Sequence, residues 1–241
     1  MAIGPDRRTM TRAQAEAAQI DVGLRQYMLG IYNYMALGVA FTAAISLLVA
    51  MNPAIMQAIA LGPFKWVLFI GIIGMGFMAP RIMMSGSLMA AQAAFWVYAA
   101  MWGALLSPMF YVYAQADIVR ALFITSGAFA GMSLLGYTTK KDLSAIGRFL
   151  AMATIGILIA LLVNIFLLQS TGFHLVLSIV VVLVFAGLTA YETQQIKNMY
   201  YEADGSDVTT RKAIFGAFML YGSFVTLFIW ILNLLSLLRG E

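Results

Sequence analysis

Cysteine is absent from the 241-residue sequence, and histidine occurs once, at His174. The first absence excludes disulfides, thiolate metal sites and thiol catalysis. The second leaves no His-rich metal cluster. Charge is also scarce: charged residues make up 10% of the chain, against about 25% in a soluble domain. With 63% hydrophobic residues and a mean hydropathy of +0.91, the chain cannot clothe itself in polar surface, so its solvent is largely lipid. Phosphate-binding glycine loops, haem motifs and zinc motifs are missing, as are low-complexity segments and internal repeats, so no cofactor is expected. The net charge of +4 would suggest nucleic acid in a soluble protein. Here the cations sit between apolar runs, which points to membrane orientation and to no nucleic-acid partner.

What is present is a series of apolar runs. About 20 mainly apolar residues make a helix long enough to cross the hydrocarbon core. Seven segments qualify: Tyr27–Ala50, Phe64–Ala79, Leu88–Leu106, Ile118–Leu135, Phe149–Leu168, Leu175–Tyr191 and Ile214–Leu238. Helices are required because lipid satisfies no backbone donor or acceptor, and the runs lack the period-two alternation of a barrel. The first run is too long for a signal-peptide core and is read as a retained span. The expected organisation is an all-α polytopic membrane protein: a cytoplasmic tail (1–24) followed by a seven-transmembrane-helix domain (25–241).

Asn52-Pro53 and Leu61-Gly62-Pro63 punctuate the first connection, Ala79-Pro80-Arg81 the second span's end and Ser107-Pro108 the third's. Of fourteen Lys and Arg residues, only Lys65, Arg120 and Arg239 fall in odd-numbered connections or at the C-terminus. The rest lie in the tail (Arg7, Arg8, Arg12, Arg25) and the even connections (Arg81; Lys140, Lys141, Arg148; Lys197, Arg211, Lys212). This bias places the N-terminus in the cytoplasm; seven full spans then put the C-terminus outside, and a re-entrant span would return it to the cytoplasm. The stretch Lys197–Lys212 reads as a solvated loop. Gly127 and Gly131, Gly71 and Gly74, and the alanines at 90, 91, 94 and 100 predict close helix packing, within the bundle in the first place and at a dimer face as the alternative.

Ionisable groups inside spans are costly and mark function by default. Glu192 closes the sixth span, within Ala190-Tyr191-Glu192-Thr193-Gln194-Gln195-Ile196-Lys197; it either snorkels to the interface, pairs with Lys197 or serves a function. Arg81 stands at the same membrane edge, where it anchors the chain or meets Glu192. Asn33, Gln92, Asn164 and Asn233 are expected to hydrogen-bond between helices. Asp117 and His174 mark the external edge and are expected to be solvated.

Three stretches resemble signatures of the Bax inhibitor-1 family: Gly23-Leu24-Arg25-Gln26-Tyr27-Met28 with Tyr32-Asn33-Tyr34-Met35-Ala36; Gly136-Tyr137-Thr138-Thr139-Lys140-Lys141-Asp142-Leu143-Ser144; and Ala190–Ile196. The resemblance covers nearly the whole chain. It implies a seven-helix bundle with the last helix central, and pH-sensitive passage of calcium across the membrane. Some bacterial members are instead partners of a membrane AAA protease. The resemblance also implies a pH sensor built from two aspartates. The first falls on Glu192 and the second on Ser223, and Arg81 matches an arginine near the end of the second span. Two close carboxylates titrate as a coupled pair; a glutamate facing a serine does not, so gating would rest on Glu192 and Arg81. A cation path also loses an oxygen ligand at Ser223.

Two functions therefore compete: a pH-modulated calcium or cation leak, and a non-transporting regulator that binds a protease or another membrane protein through residues 1–24 or 197–212. Enzymatic readings are disfavoured. Ser126 and Ser133 with His174 make a conceivable nucleophile and base, but Ile124-Thr125-Ser126-Gly127 lacks the glycine-x-serine-glycine pattern of rhomboid proteases. The seventh span holds no lysine for a retinal Schiff base.

Overall fold

The computed structural model describes residues 12–239, with side chains from Val22 onward. The expected tail cations Arg7 and Arg8 lie outside the described residues. Nine helices follow one another among these residues: α1 (Arg12–Ala50), α2 (Pro53–Ala60), α3 (Phe64–Ser85), α4 (Leu88–Leu106), α5 (Met109–Val112), α6 (Gln115–Thr138), α7 (Ser144–Val163), α8 (Thr171–Asn198) and α9 (Ser206–Arg239). A π-helical turn, Asn164–Leu168, extends α7. Seven segments are long and apolar enough to cross a membrane: α1 from Val22, α3, α4 with α5, α6, α7 with its π turn, α8 and α9.

Local chemistry sets the helix starts. Asn52 Oδ1 accepts from Ala54 N at 3.2 Å and Ile55 N at 3.3 Å, and Pro53 supplies a preset φ at the first helical position. The first connection therefore contains a helix, not only a turn. Ser87 and Ser170 cap α4 and α8 in the same way.

Two expected boundaries are corrected. Pro80 does not end the second span, because α3 runs through it to Ser85. Proline removes one backbone bond, and packing of α3 on α4 and α9 holds the helix through that loss. The stretch 197–212 is mostly helix, since α8 reaches Asn198 and α9 begins at Ser206. Asp207 in the first turn of α9 and Lys197 in the last turn of α8 both complement the helix dipoles. The remaining turn is tied down by Lys212 Nζ, which donates to Met199 O at 2.9 Å and Asp204 Oδ2 at 2.5 Å.

The last helix is central: α9 packs against α1, α3, α4, α6 and α8, and it is the most buried of the seven spans. Between helices in lipid, apolar burial gives little net driving force, so close packing and hydrogen bonds do the joining. Tyr221 of α9 is fully buried, and its ring lies 5.9 Å from that of Phe95 on α4. Thr42 of α1 donates to Ala99 O of α4 at 3.0 Å, which leaves the Tyr221 hydroxyl as the donor to Thr42 at 2.6 Å. Three helices are thereby tied at one point. Glycine allows the closest approaches: a Cβ at Gly103 would lie 2.8 Å from Thr42 O, and one at Gly136 would fall on the Ala190 carbonyl. Of the alanines expected at a helix seam, Ala91 and Ala94 are buried on α4, and Ala90 and Ala100 are half-buried.

The glycine pair of α6 does something else. A Cβ at Gly127 or Gly131 meets nothing within 4 Å, and both residues are exposed. Their face points out of the bundle, which corrects the expectation of packing within it.

Candidate functional site

Glu192 sits six residues before the end of α8, roughly 9 Å inside it at 1.5 Å per residue. The centrality of α9 places Ser223 opposite. Ser223 Oγ donates to Glu192 Oε2 at 2.7 Å, and Ser223 is buried. The two positions singled out in the sequence are thus in direct contact. Phe224, next in the chain, stacks edge-on against Phe129 of α6 with ring centroids 5.5 Å apart. A Cβ at Gly222 would lie 3.6 Å from the Tyr98 hydroxyl, so α4 presents a phenol beside the pair.

Neither sequence-level partner of Glu192 besides Ser223 is engaged. Lys197 Nζ donates to Tyr137 O at 2.8 Å and stands 5.0 Å from the Tyr137 ring centroid. It caps α6 and is not an ion-pair partner for Glu192. Arg81 is exposed on α3, and its carbonyl accepts from Ser85 Oγ. Among the described residues no hydrogen bond or ion pair joins Arg81 to Glu192.

A hydroxyl chain that the sequence did not reveal runs beside the pair. Thr193 Oγ1 donates to Thr189 O at 2.8 Å, so Ser133 must donate to Thr193 (3.0 Å) and Tyr32 to Ser133 (2.6 Å). It links α1, α6 and α8 and ends one residue from Glu192. Tyr32 and Thr193 lie inside the quoted motif stretches, which was the only available signal.

The loop between α6 and α7 docks on the same end of α8. Gln194 Nε2 donates to Lys141 O, and Gln194 Oε1 accepts from Leu143 N, each at 2.8 Å. The second and third motif stretches therefore hold each other. Lys140, Lys141 and Asp142 are exposed. Asp142 Oδ1 accepts from Ser144 N at 2.9 Å, and hydrogen bonding from Ser144 holds its carboxyl below the ordinary aspartate range.

At the opposite end, Asp117 corrects the expectation of a solvated carboxylate: its side chain is 2% exposed. Arg239 Nη1, from the last turn of α9, lies 2.6 Å from Oδ1 and 2.8 Å from Oδ2, and Arg120 Nη1 lies 3.2 Å from Oδ1. A charge this deep is retained because two guanidiniums neutralise it. His174 is half-buried, with Nε2 3.1 Å from Asn233 Oδ1 and its ring 5.6 Å from that of Trp230. Asn233 thus joins two helices as expected. Asn164 does not: its Oδ1 accepts locally from Ser170 N at 3.1 Å. Gln92 and Asn33 make no such bond among the described residues.

No group of three or more His, Asp or Glu residues close enough to hold a metal ion occurs among the described residues. Glu192 and Ser223 together offer three side-chain oxygens, short of the six to eight that calcium takes.

Comparison with known proteins agrees with this architecture. Residues 24–240 match the family described as inhibitor of apoptosis-promoting Bax1. An uncharacterised protein of Rickettsia prowazekii is 38% identical over 216 residues, covering 90% of this chain and 91% of its own. The inner membrane protein YbhL of Escherichia coli K12 is 38% identical over 219 residues, covering 88% and 92%. An uncharacterised Caulobacter vibrioides protein is 34% identical over 224 residues, covering 89% of each chain. The chain is an integral membrane protein that belongs to the Bax inhibitor-1 family.

Proposed function

We propose that the protein is a proton-modulated calcium or cation leak, with its gate where Ser223 of the central helix donates to Glu192. That hydrogen bond carries the reading. A carboxylate within a span is expensive unless it serves a path or a switch. This one is held by a single neutral hydroxyl on the helix around which the others pack. Protonation turns the carboxylate from a pure acceptor into a donor and removes its charge, which changes what α8 offers α9. Three side-chain oxygens make a weak, incomplete calcium site, which suits passage, since a conducted ion must leave as readily as it enters.

The setting is an inner membrane, by analogy with the name of the Escherichia coli relative. The tail, residues 1–24, faces the cytoplasm by the bias of Lys and Arg. Glu192, Lys140, Lys141 and Asp142 then lie at the cytoplasmic end, and Asp117 with Arg239 at the external end.

Two substitutions in dye-loaded proteoliposomes test the gate. Glu192→Gln abolishes the pH dependence of calcium flux between pH 6 and 8. Ser223→Asp strengthens it by restoring a coupled carboxylate pair. If both variants track the native protein, Glu192 is not the sensor. If the native protein passes no calcium, the regulatory reading stands instead, with residues 1–24 and the protein's polar loops as contacts for a membrane AAA protease or another partner.

A further inference from the structure

Helices α1 and α6 both pack on α9 and are bridged by the Tyr32–Ser133 hydrogen bond, and a groove of about 590 Å³ lies between them. That volume falls in the usual range for small-molecule sites, about 300–1,000 Å³. Its long walls are apolar, with Leu29 of α1 and Phe129 and Leu134 of α6 among them. Leu29 and Leu134 are half or more exposed, so the groove opens sideways to the surroundings of the bundle. The floor is polar: Tyr32 and Ser133, the first two members of the hydroxyl chain, line it. One end is cationic. Arg25 lines the mouth together with Tyr137, and Lys197 Nζ stands over the Tyr137 ring. Lys140 and Lys141 follow in the next loop.

An apolar trough with hydroxyls along its floor and cations at one end matches one chemistry in a bilayer. Acyl chains fill apolar walls, and an anionic phosphate meets arginine and lysine at membrane-interface depth. We infer that this groove is a binding site for an anionic phospholipid of the surrounding leaflet, with its headgroup at Arg25 and Lys197 and an acyl chain between α1 and α6. The site uses residues of the first two motif stretches that the Glu192–Ser223 contact leaves unexplained. It also touches that contact from behind, because Phe129 of the groove wall packs on Phe224, the neighbour of Ser223. A bound chain thereby stiffens the wall that holds the central helix in place.

The absence of cysteine makes the test clean. A single cysteine at Leu134→Cys, labelled with bimane, reports on the groove. One at Phe77→Cys reports on a fully exposed position of α3, where Phe77 is 83% exposed. Quenching is measured in phosphatidylcholine bilayers containing either brominated phosphatidylglycerol or brominated phosphatidylcholine. Brominated phosphatidylglycerol is expected to quench the groove label with about thirtyfold preference, the gain of two basic residues engaged at an anionic headgroup. The Phe77 label shows no preference, and Arg25→Gln with Lys197→Gln removes the preference while leaving phosphatidylcholine quenching unchanged. Equal quenching by the two lipids overturns the site, as does a preference that survives both charge removals. Quenching at Phe77 with none at Leu134 also overturns it, since the groove is then covered by protein, such as a second copy of the chain. The readout is lipid contact and not flux, so it stands or falls separately from the proposed leak.

Discussion

The cluster at Asp117 permits a worked stability prediction. Its carboxylate is 2% exposed and takes both charged contacts at the start of α6, while the side chains of Arg239 and Arg120 are 38% and 56% exposed. Breaking a fully buried pair costs about 3–5 kcal/mol, because the orphaned partner stays buried. Here the outcome depends on which partner is removed. Asp117→Ala leaves two guanidiniums that rehydrate, so the cost falls to about 2 kcal/mol. Arg239→Gln leaves the carboxylate buried with only Arg120 at 3.2 Å, and costs about 3 kcal/mol. Arg120→Gln removes an exposed i,i+3 contact and costs under ~0.5 kcal/mol. Reversible unfolding by SDS in bicelles measures all three, and the Asp117/Arg239 double-mutant cycle should give a coupling above ~1 kcal/mol. A coupling within ~0.5 kcal/mol of zero, the scatter of independent sites, would refute the claim that this pair fastens the end of the central helix.

Three further outcomes are expected. Tyr221→Phe deletes the hydroxyl that donates to Thr42 at 2.6 Å, and should cost about 1 kcal/mol in the same unfolding assay. Gly136→Ala places a methyl on the Ala190 carbonyl and should cost ~2 kcal/mol or more by overpacking, whereas Gly127→Ala meets open space and should stay within about 0.5 kcal/mol. Asp142 has a folded pKa below its unfolded value, so its hold on Ser144 is present above about pH 4 and is lost as pH falls through the lowered value. Amide exchange at Ser144 should therefore be faster in Asp142→Asn than in the native protein at about pH 6, with the difference shrinking as pH falls through the lowered value.

The seven spans were legible because a continuous apolar run has one physical solution in lipid. Where each helix stops was less so. Composition marks the hydrocarbon edge, but α8 and α9 continue into polar turns whose backbone bonds cost nothing extra in water, and α3 crosses Pro80 on the strength of its neighbours. Tertiary partners were least legible. Asp117 looked solvated because Arg239, which buries it, lies 122 residues away. The direction in which Gly127 and Gly131 face is likewise set by packing and not by their spacing. The contact of Ser223 with Glu192 was suggested by resemblance alone, since a serine within an apolar run has no distinguishing pattern. The hydroxyl chain through Tyr32, Ser133 and Thr193 was invisible for the same reason, as each residue is ordinary in its own helix.

The most direct test of the proposed leak is calcium entry into dye-loaded proteoliposomes at pH 6 and pH 8, with folded native protein compared against Glu192→Gln and empty vesicles. The account predicts protein-dependent flux that differs between the two pH values and a variant whose flux does not. Flux indistinguishable from empty vesicles at both pH values, from protein shown to be folded, would contradict it.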